Sequence, residues 1–163
     1  MPSYRLIILV KTLYLLLLGI TIGAIITLGI FVAPVIFKAS LYLSALEISK
    51  FHSGILMTQI FIKSGVLLNF TAFAIIVYEL IALRLGDSRP VFLLLGFLSI
   101  GLIFLFTLYY TPYIIEAQKL GESATSSDAF ASMHRQSEEV FKLLLVTLTL
   151  LFGARIFALH KRT

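Results

Sequence analysis

Residues 64–83 read SGVLLNFTAFAIIVYELIAL. Those positions carry one formal charge, Glu79, and match the ~20 mostly apolar residues with which a helix crosses about 30 Å of hydrocarbon. Three more runs are of the same kind, at 12–37, 90–115 and 143–159. Hydrophobic residues make up 60% of the chain and the mean hydropathy is +1.04, which excludes a soluble domain. The expected fold is all-α: an integral membrane, antiparallel four-helix bundle. Its helices lie at about 4–37, 45–85, 90–115 and 128–160, and the 163 residues form a single transmembrane domain.

The gaps between the runs hold most of the charge. A net charge of +5 would suggest nucleic acid in a soluble protein, but here the basic residues flank apolar spans, which points to the membrane instead. Arg5, Lys11, Arg84, Arg89, Lys161 and Arg162 crowd the termini and the central turn. Lys38, Lys50, Lys63, Lys119, Arg135 and Lys142 are spread over longer connections. Density near the helix ends favours both termini in the cytoplasm. The first run has an uncharged stretch of about 26 residues, well beyond the ~7–15 of a signal peptide's apolar core. It is expected to be a retained helix. Cysteine is absent, so disulfides, thiolate metal sites and thiol redox chemistry are excluded.

Gly19, Gly23 and Thr27 recur every four residues on the first helix, spacing that lets a neighbouring backbone approach closely. Pro34 should kink that helix near its outer end, and Pro112 should kink or end the third. The second helix is expected to begin before Phe51 and to project beyond the bilayer on the outer side, as is the fourth. Between them, Gly86-Asp87-Ser88-Arg89-Pro90 is a stop-and-restart turn. Tyr109, Tyr110 and Tyr113 suit an interfacial aromatic belt. Ser127 or Asp128 is the expected N-cap of the fourth helix. That helix opens amphipathically, with Phe130, Met133, His134, Ser137 and Phe141 on one face. Arg135, Glu138, Glu139 and Lys142 share another face, spaced for Arg135–Glu139 and Glu138–Lys142 pairs.

Few residues offer chemistry. His134 lies on the apolar stripe and needs a partner, for which Ser137 or a belt tyrosine is placed. His52, Gln59 and Lys63 form a polar stripe at the same end of the bundle. His52 and His134 would converge there as hydrogen-bonded interfacial groups or, with a nearby methionine, as ligands for copper or a heme iron. Glu79 and Arg155 are the acid and base inside otherwise apolar runs. Each lies about five residues from a basic end, at Arg84 and His160, so both sit roughly 7 Å inside the boundary. Pairing, snorkelling to the interface, and a proton or ion route are the open readings. His160, beside Lys161 and Arg162, reads as surface. Nothing has the pattern of a hydrolase triad, a phosphate loop or a nucleic-acid module, which leans against an enzyme.

Val32-Ala33-Pro34-Val35-Ile36-Phe37, then Gly54 to Phe61, then Pro112, then Phe130-x-x-x-His134-x-x-Ser137 together resemble a four-helix membrane family. That family, bacterial and eukaryotic, is typified by transmembrane protein 205 and has no settled activity. The resemblance spans nearly the whole chain and marks Pro34, Phe37, Gly54, Phe61, Pro112, His134 and Ser137 as characteristic positions. More distantly, Lys11-Thr12-Leu13-Tyr14 with the glycine-rich helix ending in Pro34 looks like the start of two other families. These are heme-dependent protoporphyrinogen oxidases and D-type copper-resistance membrane proteins; both carry His where this chain has Tyr14.

The expected function is a small bacterial inner-membrane protein with a structural, interaction or transport-accessory role and no cofactor. A heme- or copper-binding redox protein and a small oligomeric transporter are the alternatives. The partners implied are the lipid bilayer and either a second copy or another membrane protein, not nucleic acid.

Overall fold

A computed structural model describes residues 4–160. Lys161 and Arg162, and the side chain of His160, lie outside the described residues. The elements are α1 (Tyr4–Ile26), α2 (Ala33–Phe37), α3 (Ala39–Tyr42), α4 (Lys50–Arg84), α5 (Pro90–Phe104), α6 (Thr111–Lys119), α7 (Glu122–Thr125) and α8 (Asp128–His160). Two π-helical segments, Thr27–Val32 and Leu105–Tyr110, join α1 to α2 and α5 to α6. Among the described residues there is no strand. Four helices are long and apolar enough to cross a membrane: Arg5–Phe37, Lys50–Arg84, Pro90–Lys119 and Asp128–Ala158. They are called spans 1 to 4 below.

Both prolines are absorbed in the same way. Proline lacks a donor and clashes with the carbonyl four residues back. Ahead of each proline the ladder widens to an i to i+5 register: Ala33 N–H bonds the Leu28 carbonyl and Thr111 N–H bonds that of Phe106. The Thr111 hydroxyl adds a second bond to the Phe106 carbonyl at 2.9 Å. Pro112 therefore does not end the third helix; α6 runs on to Lys119. A local π-bulge is the usual device for such a helix irregularity.

Caps set the other boundaries. Span 2 begins at Lys50, before Phe51 as expected but a few residues later than 45, because Ser49 and His52 form a capping box. The Ser49 hydroxyl accepts from His52 N–H and His52 Nδ1 accepts from Ser49 N–H, both at 3.3 Å. Span 2 ends in a Schellman motif. Gly86 has φ +67, its N–H bonds the Leu83 carbonyl and Asp87 N–H bonds that of Ala82. Ser127 caps α8 by accepting from Phe130 N–H at 3.2 Å.

Spans 1 and 2, 2 and 3, 3 and 4, and 4 and 1 pack on one another. The bundle is thus an antiparallel ring in which spans 2 and 4 face across a diagonal. The end holding Tyr4, the 85–89 turn and residue 160 is called here the near end; the opposite is the far end. Leu18, Ile75, Ile103, Leu144, Leu148 and Leu151 are fully buried on the axis. Phe73, Phe97, Val66 and Phe157 stand out from the surface, as suits residues facing acyl chains. Several polar groups of the spans turn inward and clamp neighbours, because an unpaired polar group in hydrocarbon is costly. Thr21 bonds Thr71 at 2.7 Å, Thr107 donates to Asn69 at 2.9 Å, and Ser99 donates to Thr147 at 3.1 Å. Of the glycine stripe on span 1, Gly19 faces Phe152 of span 4, whereas a Cβ at Gly23 would meet nothing within 4 Å.

Candidate functional site

Two polar places interrupt the apolar bundle, one at each end. At the near end Glu79 and Arg155, 6% and 5% exposed, meet across the diagonal, Arg155 Nη2 donating to Glu79 Oε1 at 2.5 Å. The contact would be simplest with spans 2 and 4 side by side. They are not; two long side chains reach across the axis instead. Their approach is eased at Gly96 of span 3, where a Cβ would lie 3.2 Å from Ile75 Cγ2 and 3.5 Å from Glu79 Cγ.

All four spans contribute to this cluster. The guanidinium of Arg155 lies 4.0 Å from the centroid of Phe92 and 4.9 Å from that of Tyr78, and its Nη1 reaches the Asp87 carbonyl at 3.5 Å. Tyr78 stacks on Tyr14 of span 1 with centroids 3.8 Å apart, and Tyr14 is within electrostatic range of both members of the pair. Lys11 bonds the Asp87 carboxylate at 2.6 Å and so ties span 1 to the turn. Tyr14 Oη, Glu79 Oε2 and Arg155 Nε are buried without a hydrogen-bond partner among the described residues. Sequence reasoning missed Tyr14, Tyr78 and Phe92 here. The available signal was two tyrosines and a charge pair at one depth.

At the far end the four spans part around a cavity of about 800 Å³. Its floor is an aromatic triple from three spans. Phe61 lies 5.4 Å from Phe106 and 5.3 Å from Phe141, and Phe106 lies 4.9 Å from Phe141. Phe37, Phe51, Met57 and Phe130 line the walls. One polar pair sits within: Gln118 Nε2 donates to Thr58 Oγ1 at 2.9 Å, and Thr58 donates to the Gly54 carbonyl at 2.9 Å. Lys50, Glu122, Glu138 and Lys142 also line it.

The two histidines are not brought together. His52 is held in its capping box and is not among the cavity-lining residues, whereas His134 is. His134 also differs from expectation. Its Nε2 bonds Glu138, one helical turn on, at 3.2 Å, and its ring stacks on Phe130. The Ser137 hydroxyl donates to the His134 carbonyl at 2.6 Å, the usual back-bond of a helical serine, and so does not serve the ring. The exposed face pairs as Lys142–Glu139 at 2.7 Å rather than as Arg135–Glu139 and Glu138–Lys142. Among the described residues no three His, Asp or Glu side chains converge as metal ligands.

Of the characteristic positions expected from the sequence, Phe37, Gly54, Phe61, His134 and Ser137 all line the cavity. Pro34 and Pro112 follow the two π segments, from which Gly29 and Phe106 face it. Sequence reasoning missed Thr58, Gln118, Phe51 and Phe106 as members of this site.

These features define an all-α integral membrane protein. A family model, "Domain of unknown function (DUF4149)", matches residues 16–123. The chain belongs to that family. The match begins within span 1, takes in spans 2 and 3 and stops before α8, so His134, Ser137 and Arg155 lie beyond it. No curated protein and no solved structure matches the chain.

Proposed function

We propose that this chain is a transport-accessory protein of the bacterial inner membrane that binds a small molecule in its far-end cavity. The observation that carries the reading is convergence. Five residues that the sequence reading singled out, Phe37, Gly54, Phe61, His134 and Ser137, line one cavity, contributed by spans far apart in sequence. At about 800 Å³ the space falls within the ~300–1,000 Å³ usual for small-molecule sites, and an apolar lining with a few placed polar groups is their usual make-up.

The near end argues for binding rather than passage. There Glu79, Arg155, Phe92, Tyr78 and Tyr14 fill the axis from all four spans, so the cavity leads to a plug. This supports the accessory role over a small oligomeric transporter. A heme or copper site built on His52 and His134 gains no support, since only His134 faces the cavity. The basic residues Arg5, Lys11, Arg84 and Arg89 at the near end support cytoplasmic termini and an outward-facing cavity.

The natural absence of cysteine gives a clean test. Ile114→Cys, half-buried on the cavity wall, should react with N-ethylmaleimide in membranes, and with a membrane-impermeant reagent added outside the cell. Leu148→Cys, fully buried in the core, should react with neither. An inert Ile114→Cys would remove the cavity, and labelling only from the cytoplasmic side would reverse the orientation.

A further inference from the structure

We propose that the far-end cavity takes an uncharged single-chain amphiphile drawn from the bilayer, its apolar body on the phenylalanines and its hydroxyl or amide head on Gln118. This rests on the reading above that the cavity binds a small molecule.

Depth is the first argument. From Arg84 back to Phe61 along α4 is roughly 35 Å at 1.5 Å per residue, slightly more than the ~30 Å of hydrocarbon. The Phe61–Phe106–Phe141 floor therefore lies at the acyl boundary when the near end sits at the opposite one, and the cavity above it lies among the headgroups. A molecule with one apolar and one polar end is what that layer supplies.

Hydrogen-bond accounting gives the head. The Thr58 proton goes to the Gly54 carbonyl, so the Thr58 oxygen must accept, and it accepts from Gln118 Nε2. That fixes the orientation of the amide. Gln118 keeps one N–H and its carbonyl oxygen, a donor and an acceptor side by side, which complement a hydroxyl or an amide. An ionic head would use only one of them.

Charge gives the exclusion. The lining holds two lysines and two glutamates, and two of these four are engaged on their own helix: Glu138 with His134 and Lys142 with Glu139. The two left, Lys50 and Glu122, are of opposite sign, so no net charge remains to favour an ionic head, and moving such a head onto phenylalanine rings carries a desolvation cost.

The chain contains no tryptophan, so Phe130→Trp places a single reporter on the cavity wall. Reconstituted in phospholipid nanodiscs, it is titrated with brominated monoacylglycerol, brominated fatty acid and brominated lysophosphatidylcholine, whose bromines quench tryptophan on contact. Phe157→Trp, on the lipid-facing surface, reports simple partitioning. The expected result is saturable quenching at Phe130→Trp by the monoacylglycerol, with a midpoint at least about ten-fold below those of the charged probes. Gln118→Met in the reporter background should raise that midpoint about five- to ten-fold, the loss of roughly one hydrogen bond. Thr58→Val is the second variant should Gln118→Met not fold, and it should raise the midpoint in the same direction. A lower midpoint for either charged probe, or a midpoint unmoved by both substitutions, would overturn the ligand class and leave the cavity reading standing. Non-saturable quenching by every probe, as at Phe157→Trp, would overturn both.

Discussion

Replacing Glu79 by Gln leaves the Arg155 guanidinium buried without its counter-charge. Breaking one side of a buried pair costs about 3–5 kcal/mol, and insertion scales give roughly 2.5–3.5 kcal/mol for a lone charge at mid-membrane. The structure tempers the first figure and sharpens the second. After Glu79→Gln, Arg155 keeps the Phe92 ring at 4.0 Å and the Asp87 carbonyl, and a desolvated cation–π contact contributes about 2 kcal/mol. Arg155→Met instead strips away both ring contacts and strands the carboxylate. It should therefore be the more damaging single change, at about 3–4 kcal/mol against about 2–3 kcal/mol for Glu79→Gln. In the double variant no buried charge remains, so its cost should be about 3 kcal/mol rather than the ~6 kcal/mol sum, a coupling of about 3 kcal/mol. The assay is reversible unfolding of the four proteins by titrating SDS into mixed micelles. Additivity within about 0.5 kcal/mol would show that the two groups do not stabilise each other, whatever their proximity.

Other expectations are shorter. Gly96→Ala should destabilise in the same titration, because its Cβ would press on Ile75 at 3.2 Å, whereas Gly101→Ala, with nothing within 4 Å, should be neutral or slightly stabilising; equal effects would mean that spans 2 and 3 are not in close approach at Gly96. Thr21→Val should cost about 0.6 kcal/mol, the typical worth of an interhelical hydrogen bond in a membrane, and Thr71→Val added to it should cost little more, since the two hydroxyls share one bond. Full additivity would deny that bond. For orientation, Ser126→Cys should be labelled by an impermeant thiol reagent outside intact cells and Ser88→Cys should not; the reverse pattern would turn the protein over.

Hydropathy and length made the four spans legible, since little other than a membrane helix accommodates runs such as 64–83. Glu79 and Arg155 stand out as charges at matched depth, and the structure puts them in contact. No depth argument conveys that the contact crosses a diagonal, because ring order depends on how short turns close. The near-end turn was readable down to its glycine, as a Gly ahead of a Pro is a local signal. The role of His52 was not, since a capping box is ordinarily recognised by Glu or Gln at the third position. Nor were the π segments, where the proline gives the site of strain but not whether the helix bends, breaks or widens. The cavity was the least legible feature. It arises where the ends of four helices separate, and Thr58 and Gln118, which meet inside it, lie sixty residues apart.

The most direct test of the account is an experimental structure of the protein in phospholipid nanodiscs. It should show elongated density between Phe51, Phe61 and Phe130 with its polar end against Gln118, and a dry, closed cluster around Glu79 and Arg155 at the other end. Phenylalanine side chains packed together across the far end, leaving no room for an occupant, would contradict it.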